Sequence, residues 1–362
     1  MTAVHQFVPS LLPGDATGAH TLEVRRIVQE MGLESEVFAQ YMRGPLAKMA
    51  HHFSEYPRWR KPGDVLLHQL ATCSDMADFL YARPEPLAVN YHNVTPGRFF
   101  KGWDPVAATY QDFGRAQVAR LADKTVLAIA VSRFNEADLL ELGYGATTVV
   151  PVLVDLAALD SEVDEDTASR LLDEKASGGA DILFVGRIVP NKAQHELVKA
   201  FYAYRRLYDP RARLHLVGRS EWEHYDRAVR DLVAKLDLEG AVRMPGLVTQ
   251  AELAAYYRAA DVFASASEHE GFCVPLLEAM HHRVPVVARA EAAVPETLDG
   301  AGVLVGTRSP LHLAAAIHRV VADPELSSRL AEAGRRRLAA YDLASSRRRM
   351  SQALETLLAS VQ

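Results

Sequence analysis

Short apolar runs that end in glycine or a polar turn, each followed by a stretch with helical spacing, recur through the second half of this chain. Residues 181–186, 213–218, 242–246, 261–267 and 284–288 are such runs. They are too short for buried helices and read as strands. Apolar spacings of three and four predict helices over 193–207, 225–236 and 252–259. Strand alternating with helix implies parallel βαβ units, because two parallel neighbours need a crossover between them. The first half repeats the theme less regularly. Strands are predicted over 5–9, 36–39, 65–70, 87–91, 126–131 and 148–152, and helices over 19–31, 74–82, 105–122 and 133–142. A length of 362 residues suits two doubly wound α/β domains. Residues 155–179 contain the acidic run 160–166, end in Ser177, Gly178 and Gly179, and read as a linker. One Rossmann-like domain is therefore expected over 1–160 and a second over 178–341. An amphipathic, arginine-bearing helix is expected over about 342–362.

Composition excludes several classes. The chain is 49% hydrophobic and 24% charged, as in soluble globular proteins, and its net charge of -6 gives no global basis for binding nucleic acid. Its 2 cysteines, Cys73 and Cys273, stand far apart in sequence, which argues against a disulfide scaffold and fits a reducing cytosol. The first residues lack a basic segment followed by an apolar run, so no signal peptide is expected. No apolar run is long enough to span a bilayer. A cytoplasmic location is expected, with peripheral contact at the inner membrane face as the upper limit of membrane association. No G-x-G-x-x-G joins a strand to a helix and no Walker lysine loop occurs, which disfavours a dinucleotide dehydrogenase.

The most specific chemistry lies in residues 267–280. Glu270 precedes Gly271, Phe272 and Cys273, and Glu278 follows within an apolar helix. Strand, turn and helix place Glu270 in a loop at the carboxyl end of a parallel strand, the edge where open α/β sheets bind ligands. Amides of the turn and the helix start suit a phosphate, and carboxylates on either side suit sugar or ribose hydroxyls. Gly186 and Arg187 end an earlier strand, and Lys192 opens the helix after it. Two cations at that edge can neutralise a diphosphate.

This arrangement resembles the retaining glycosyltransferases of family 4. Their signature is Glu, seven residues, Glu, with Gly-Phe after the first Glu, and a Gly-Arg turn and a helix-opening Lys upstream. The resemblance implies the GT-B fold, two Rossmann-like domains facing a central cleft. It implies a second domain that holds a nucleotide diphosphate sugar, a first that holds an acceptor, and a terminal helix that crosses back onto the first. Glu270 would hold sugar hydroxyls and Glu278 the ribose. Arg187, Lys192 and the amides of Gly271, Phe272 and Cys273 would hold the diphosphate. Gly218 would lie at the donor-binding edge, and the turn of Gly246, Leu247 and Val248 would hold the base through backbone groups, with Leu247 and Val248 flanking the ring. Gly14, in a turn that runs to Gly18, falls where the family has its glycine-rich loop, but without the usual paired glycines. His92, at the end of the strand 87–91, would lie near the sugar hydroxyls and the acceptor. Ala292 and Ala293 stand where many relatives have glycines, before Glu296.

Other features have ordinary structural explanations. His20 and His68 read as structural. Tyr91, Phe99, Phe100 and Trp103 pack a loop or line an acceptor site. The basic-aromatic stretch 56–61 reads as a solvated loop, with an anionic membrane or lipid diphosphate as its other reading. Asp164 and Asp166 spell D-x-D in the expected linker, with no strand before them, so no metal is assigned. The arginine clusters 335–337 and 347–349 need no partner. The expected function is transfer of a hexose from a UDP- or GDP-sugar, with a lean to GDP-mannose, to a sugar, lipid-linked or small-molecule hydroxyl. No cofactor is expected. A nucleotide-sugar epimerase and a non-catalytic sugar-nucleotide-binding subunit remain as rival readings.

Overall fold

The computed structural model describes residues 3–160 and 162–361. Met1, Thr2, Ser161 and Gln362, which the sequence reading placed in the first domain, the acidic run and the terminal helix, lie outside the described residues. The chain forms two compact units. One gathers residues 3–101, 105–154 and 341–361, and the other residues 102–104, 155–160 and 162–340.

In chain order the first unit carries β1 (Val4–Leu11), α1 (Ala16–Glu30), β2 (Val37–Met42), β3 (His51–His52), β4 (Val65–Leu70), α2 (Asp75–Tyr81), β5 (Leu87–Tyr91), α3 (Pro105–Leu121), β6 (Thr125–Ala130), α4 (Arg133–Glu141) and β7 (Thr147–Val149). The second carries α5 (Glu165–Ala176), β8 (Asp181–Val185), α6 (Gln194–Leu207), β9 (Arg213–Val217), α7 (Glu223–Lys235), β10 (Val242–Gly246), α8 (Gln250–Ala259), β11 (Val262–Ser265), α9 (Val274–His281), β12 (Val286–Arg289), α10 (Val294–Leu298), β13 (Val303–Val305), α11 (Pro310–Ala322) and α12 (Pro324–Arg337). The chain returns to the first unit in α13 (Leu343–Ser360).

Both sheets are parallel throughout, as the alternation predicts. Their orders are β3-β2-β1-β4-β5-β6-β7 and β10-β9-β8-β11-β12-β13. Each order reverses once, between β1 and β4 and between β8 and β11. Helices cover both faces, so both faces of a strand are apolar. In β4, Leu66 packs with Phe7, Phe38 and Tyr56, while its neighbour Leu67 packs with Val24, Ile27 and Leu354 on the other side. That two-sided burial is why such strands read as continuous apolar runs.

Three readings need correction. The expected linker contains α5. Asp164 caps that helix by accepting from the Thr167 amide at 2.8 Å, and this bond holds its carboxyl below the usual range. Leu171 is buried in the core beside α8, and Arg170 donates to the Tyr256 hydroxyl at 3.1 Å. The acidic run had masked a single apolar stripe. The stretch 56–61 is not wholly a solvated loop, because Tyr56 is fully buried and meets Phe7 and Phe38 edge-on. The strand expected over 261–267 stops at Ser265, whose hydroxyl accepts from the Ser267 amide at 3.3 Å and turns the chain. The structure also adds α11, whose Leu313, Ile317 and Val320 pack with Leu197 and Phe201 of α6. Among the described residues no helix is long and apolar enough to cross a membrane.

The terminal helix α13 starts at Asp342, which accepts from the Ser345 amide at 2.9 Å. Met350, Leu354 and Leu357 are buried against Val24, Ile27 and Val28 of α1. Arg347, from one of the arginine clusters, pairs with Glu23 and Glu30 of the same helix. Leu354 is fully buried. Leu354→Ala is therefore expected to destabilise the first unit by about 3 kcal/mol, from lost burial plus a cavity. Urea unfolding of the variant against the parent measures this.

Candidate functional site

The order reversal between β8 and β11 opens a crevice at the carboxyl edge of the second sheet, since the loops leaving these strands turn to opposite faces. The loop after β8 carries Gly186, Arg187, Asn191 and Lys192, and the loop after β11 carries Ser267 to Cys273. The two loops are tied together. Asn191 Nδ2 donates to the His269 carbonyl at 3.0 Å, and the Glu268 amide donates to the Asn191 carbonyl at 2.8 Å. Between these bonds Lys192 Nζ lies 2.6 and 2.5 Å from the two carboxylate oxygens of Glu270. The Lys192 and Glu270 side chains are only 16% and 6% exposed. Removing either partner would leave a poorly solvated charge alone, which is the costly way to break such a pair.

Backbone strain gathers in the same loops. Ala193, Cys273 and Ala292 have φ of 51°, 74° and 54°, a region that ordinary side chains avoid. Each costs of order 1 kcal/mol and persists only because its surroundings hold it. Cys273 is the residue before α9, and Ala193 the residue before α6. The Ala293 amide donates to the Glu270 carbonyl at 3.2 Å, which binds the loop after β12 to the same knot. Glycines end β8, β9 and β10. The Gly218 amide donates to the Gly246 carbonyl at 2.9 Å, and a Cβ on Gly218 would lie 2.0 Å from the Gly186 carbonyl oxygen. Only glycine permits that approach.

Glu278 lies on the first turns of α9. Burial raises its carboxyl above the usual range, while a hydrogen bond from Tyr257 opposes that rise. The Tyr257 hydroxyl donates to Oε2 at 2.8 Å. Burial and the charge of Glu270 push the Cys273 thiol well up, so it stays neutral beside the Lys192–Glu270 pair. Phe272 is buried, and its carbonyl accepts from the Thr297 hydroxyl at 2.7 Å. Leu247 is 61% exposed and Val248 half-buried in the turn after β10. Arg187 stands apart from the pair. Its side chain is 60% exposed, and Nη1 lies 3.3 Å from Glu221. The Glu296 carbonyl accepts from Arg337 at 2.7 Å, so one arginine of the 335–337 cluster anchors α10. Among the described residues no group of three or more His, Cys, Asp or Glu is arranged to hold a metal ion.

In the first unit Gly14, with φ of 76°, sets the turn before α1, and Asp15 caps that helix from Oδ1 to the Thr17 amide at 3.1 Å. His92 follows β5, half-buried, with Nε2 2.8 Å from Gln69 Oε1. Burial and the nearby His68 push its imidazole down to about 3. His20 and His68 are fully buried. Tyr91 and Phe100 are buried, and the Tyr91 hydroxyl donates to Asp138 at 2.6 Å. Trp103 belongs to the second unit, where it meets Tyr225 edge-on at 4.9 Å between ring centres.

Sequence reasoning missed Asn191, Tyr257 and Thr297. Asn191 carried a signal, as a polar residue in a turn at the ligand edge. Tyr257 and Thr297 carried none, because each meets its partner across a separation of 21 and 25 positions.

Residues 172–337 match the family described as glycosyl transferases group 1. The D-inositol 3-phosphate glycosyltransferase of Kineococcus radiotolerans is 37% identical over 227 residues, 58% of this chain and 52% of that protein. The O-antigen chain mannosyltransferase B of Escherichia coli is 30% identical over 186 residues, 50% of this chain and 48% of that protein. The chain thus spans about half the length of these curated relatives. Among solved structures, sucrose-phosphate synthase from Thermosynechococcus elongatus superimposes with a TM-score of 0.78 at 20% identity, covering 99% of each chain. Anabaena HepE, solved with UDP and glucose, gives 0.75 at 18% identity, covering 98% of this chain and 100% of its own. These likenesses show the fold, which is GT-B.

The Glu278–Tyr257 contact makes a pH-dependent prediction. A raised folded-state pKa means that ionising Glu278 weakens the fold as pH rises through that value. Tyr257→Phe removes the hydroxyl that offsets this. The variant should lose about 2 kcal/mol at pH 8, where the carboxylate is charged, and clearly less at pH 5. Urea unfolding at both pH values measures the difference, and an equal loss at each would contradict it.

Proposed function

Because residues 172–337 match the family of group 1 glycosyl transferases, we propose that the protein moves a hexose from a UDP- or GDP-sugar to an acceptor hydroxyl with retention at the anomeric carbon. The Lys192–Glu270 pair at the crevice between β8 and β11 carries this reading. A cation suited to a diphosphate and a carboxylate suited to sugar hydroxyls stand in contact, on the loops where an open sheet binds its ligand. With a donor bound, phosphate oxygens compete for Lys192 and sugar hydroxyls for Glu270, so the two groups satisfy the substrate instead of each other. Arg187 supplies a second cation from the same loop. Amides of Gly271, Phe272 and Cys273 face the diphosphate at the start of α9.

The reaction breaks the bond from the anomeric carbon to the phosphate oxygen and forms one to the acceptor oxygen. The acceptor proton passes to the leaving phosphate on the same face. Lys192 and Arg187 stabilise charge as it builds there, which is where catalysis gains most. Glu278 presents Oε1 to the ribose hydroxyls while Tyr257 holds Oε2. Leu247 and Val248 flank the base, with Gly218 keeping the sheet edge low enough to admit it. In the first unit Gly14 and His92 serve the donor sugar and the acceptor. The names of the two relatives make an inositol phosphate and a saccharide the first acceptors to test. UDP in the HepE structure makes UDP-sugars as worthwhile as GDP-mannose. Release of nucleotide only in the presence of an acceptor identifies transfer, and an altered free sugar without acceptor identifies an epimerase.

Lys192→Ala is expected to lower kcat about a hundredfold, roughly 3 kcal/mol, because it removes charge stabilisation from the leaving group. Glu270→Gln should mainly lower kcat, since its contact strengthens as the ring becomes cation-like. Glu278→Gln should mainly raise the donor KM, since the ribose contact is similar before and during reaction. Steady-state kinetics on the three variants checks the assignment, and normal kcat in both Lys192→Ala and Glu270→Gln would overturn it.

Because cations and amides neutralise the diphosphate in this reading, EDTA should leave turnover within about twofold of the untreated rate. Complete loss, restored by magnesium or manganese, would require a metal at the diphosphate.

A further inference from the structure

A row of buried polar side chains crosses the first sheet at its own order reversal. Gln6 of β1, Gln69 of β4 and Asn90 of β5 are each fully buried, in strands that are mostly apolar. Buried amides demand partners, so the row forms a directed chain. Gln6 Nε2 donates to the Thr21 carbonyl of α1 at 3.0 Å. Gln69 Nε2 donates to Gln6 Oε1 at 2.8 Å. Gln69 Oε1 lies 2.8 Å from His92 Nε2.

The direction of this chain has one chemical solution. A backbone carbonyl can only accept, so Gln6 must turn its amino group to Thr21 and its oxygen to Gln69. Gln69 must then give its amino group to Gln6 and its oxygen to His92. An amide oxygen cannot donate, so the hydrogen between Gln69 and His92 sits on Nε2. Reversing both amides would set the Gln6 oxygen against the Thr21 carbonyl at 3.0 Å, two acceptors face to face. His92 Nδ1 has no hydrogen-bond partner among the described residues and is not among the sealed, unpartnered atoms.

His20 shows the same logic. Its Nδ1 accepts from the Leu153 amide at 3.0 Å, so its hydrogen is also on Nε2. Asn90 Nδ2 stands 2.6 Å from that Nε2 while Asn90 Oδ1 has no partner. Two donors cannot share that gap, and turning the Asn90 amide over supplies the acceptor. The His20 ring then meets His92 edge-on at 4.9 Å between centres and restrains its orientation.

We infer that Gln69, set by Gln6, is a positioning residue that locks His92 as the Nε2–H tautomer, so that His92 offers substrate a bare Nδ1 and accepts a hydrogen bond from a hydroxyl. Burial keeps the ring neutral around pH 7, so it acts neither as a cation nor as a proton donor at that nitrogen. The hydroxyl belongs to the donor sugar or the acceptor, a clause that rests on the function proposed above. The tautomer itself does not rest on it.

Nitrogen-15 histidine correlation spectra of the full chain at pH 7 test the inference, with the His92 signal identified by its loss in His92→Gln. The parent should show a neutral His92 with its hydrogen on Nε2. Gln69→Leu should give a mixture of tautomers and lower kcat/KM about tenfold, with some loss of melting temperature because Gln6 Oε1 is left without its donor. Gln6→Leu should show the same loss of a single tautomer, although Gln6 does not touch His92. A parent spectrum with the hydrogen on Nδ1, or with a charged ring, overturns the inference whether or not the variants fold. A single Nε2–H tautomer in Gln69→Leu, or unchanged kcat/KM in that variant, overturns the positioning role. If no donor is turned over by the parent, the proposed function fails while the spectra still decide the tautomer.

Discussion

The contact between Lys192 and Glu270 depends on one topological fact, that β8 and β11 are neighbours although two strands separate them in sequence. Because the chain builds β9 and β10 to one side and then crosses back, the loops that follow β8 and β11 diverge above the sheet and leave a crevice between them. Two residues 78 positions apart then meet at 2.5–2.6 Å. Asn191 and the Glu268 amide lock the loops around that contact, and the positive φ of Ala193 and Cys273 are the cost of aiming the starts of α6 and α9 at the same point. A poorly solvated ion pair adds little net stability, since desolvation consumes most of the attraction.

The first unit uses the same reversal differently. There, β1 and β4 adjoin, and the polar row of Gln6, Gln69 and Asn90 runs across the junction in place of an ion pair. Hydrogen-bond direction, not charge, is what this row transmits. In the proposed function the second unit presents charge to a ligand, while the first presents a neutral acceptor of defined tautomer.

Much of this was legible in the sequence. Buried parallel strands are short continuous apolar runs, and every strand except the short edge strands β3 and β13 was foreseen with boundaries differing by a few residues. Loops at carboxyl ends of strands are where ligands bind, so Glu270, Lys192 and His92 could be singled out before any contact was known. The failures are instructive. Helix α5 hid because its cap, Asp164, and its first turn are acidic, and a run of carboxylates looks like solvated linker when only Leu171 and a few neighbours face inward. Tyr56 hid in a basic stretch because one buried aromatic side chain among exposed cations has no periodicity.

Sequence by itself determined what is local: which segments extend, which coil, where a cap or a glycine ends an element, and which loops carry charge. Each follows from side-chain periodicity and backbone sterics within a few residues. Tertiary structure alone decided which charges meet. It paired Lys192 with Glu270 but left Arg187 exposed beside Glu221, although both cations lie in one loop. It gave Glu278 the Tyr257 hydroxyl, and it set the tautomer of His92 from a helix carbonyl three links away. Hydrogen bonds and ion pairs depend on distances between atoms remote in the chain. Strand order fixes those distances, and strand order is a property of the whole sheet.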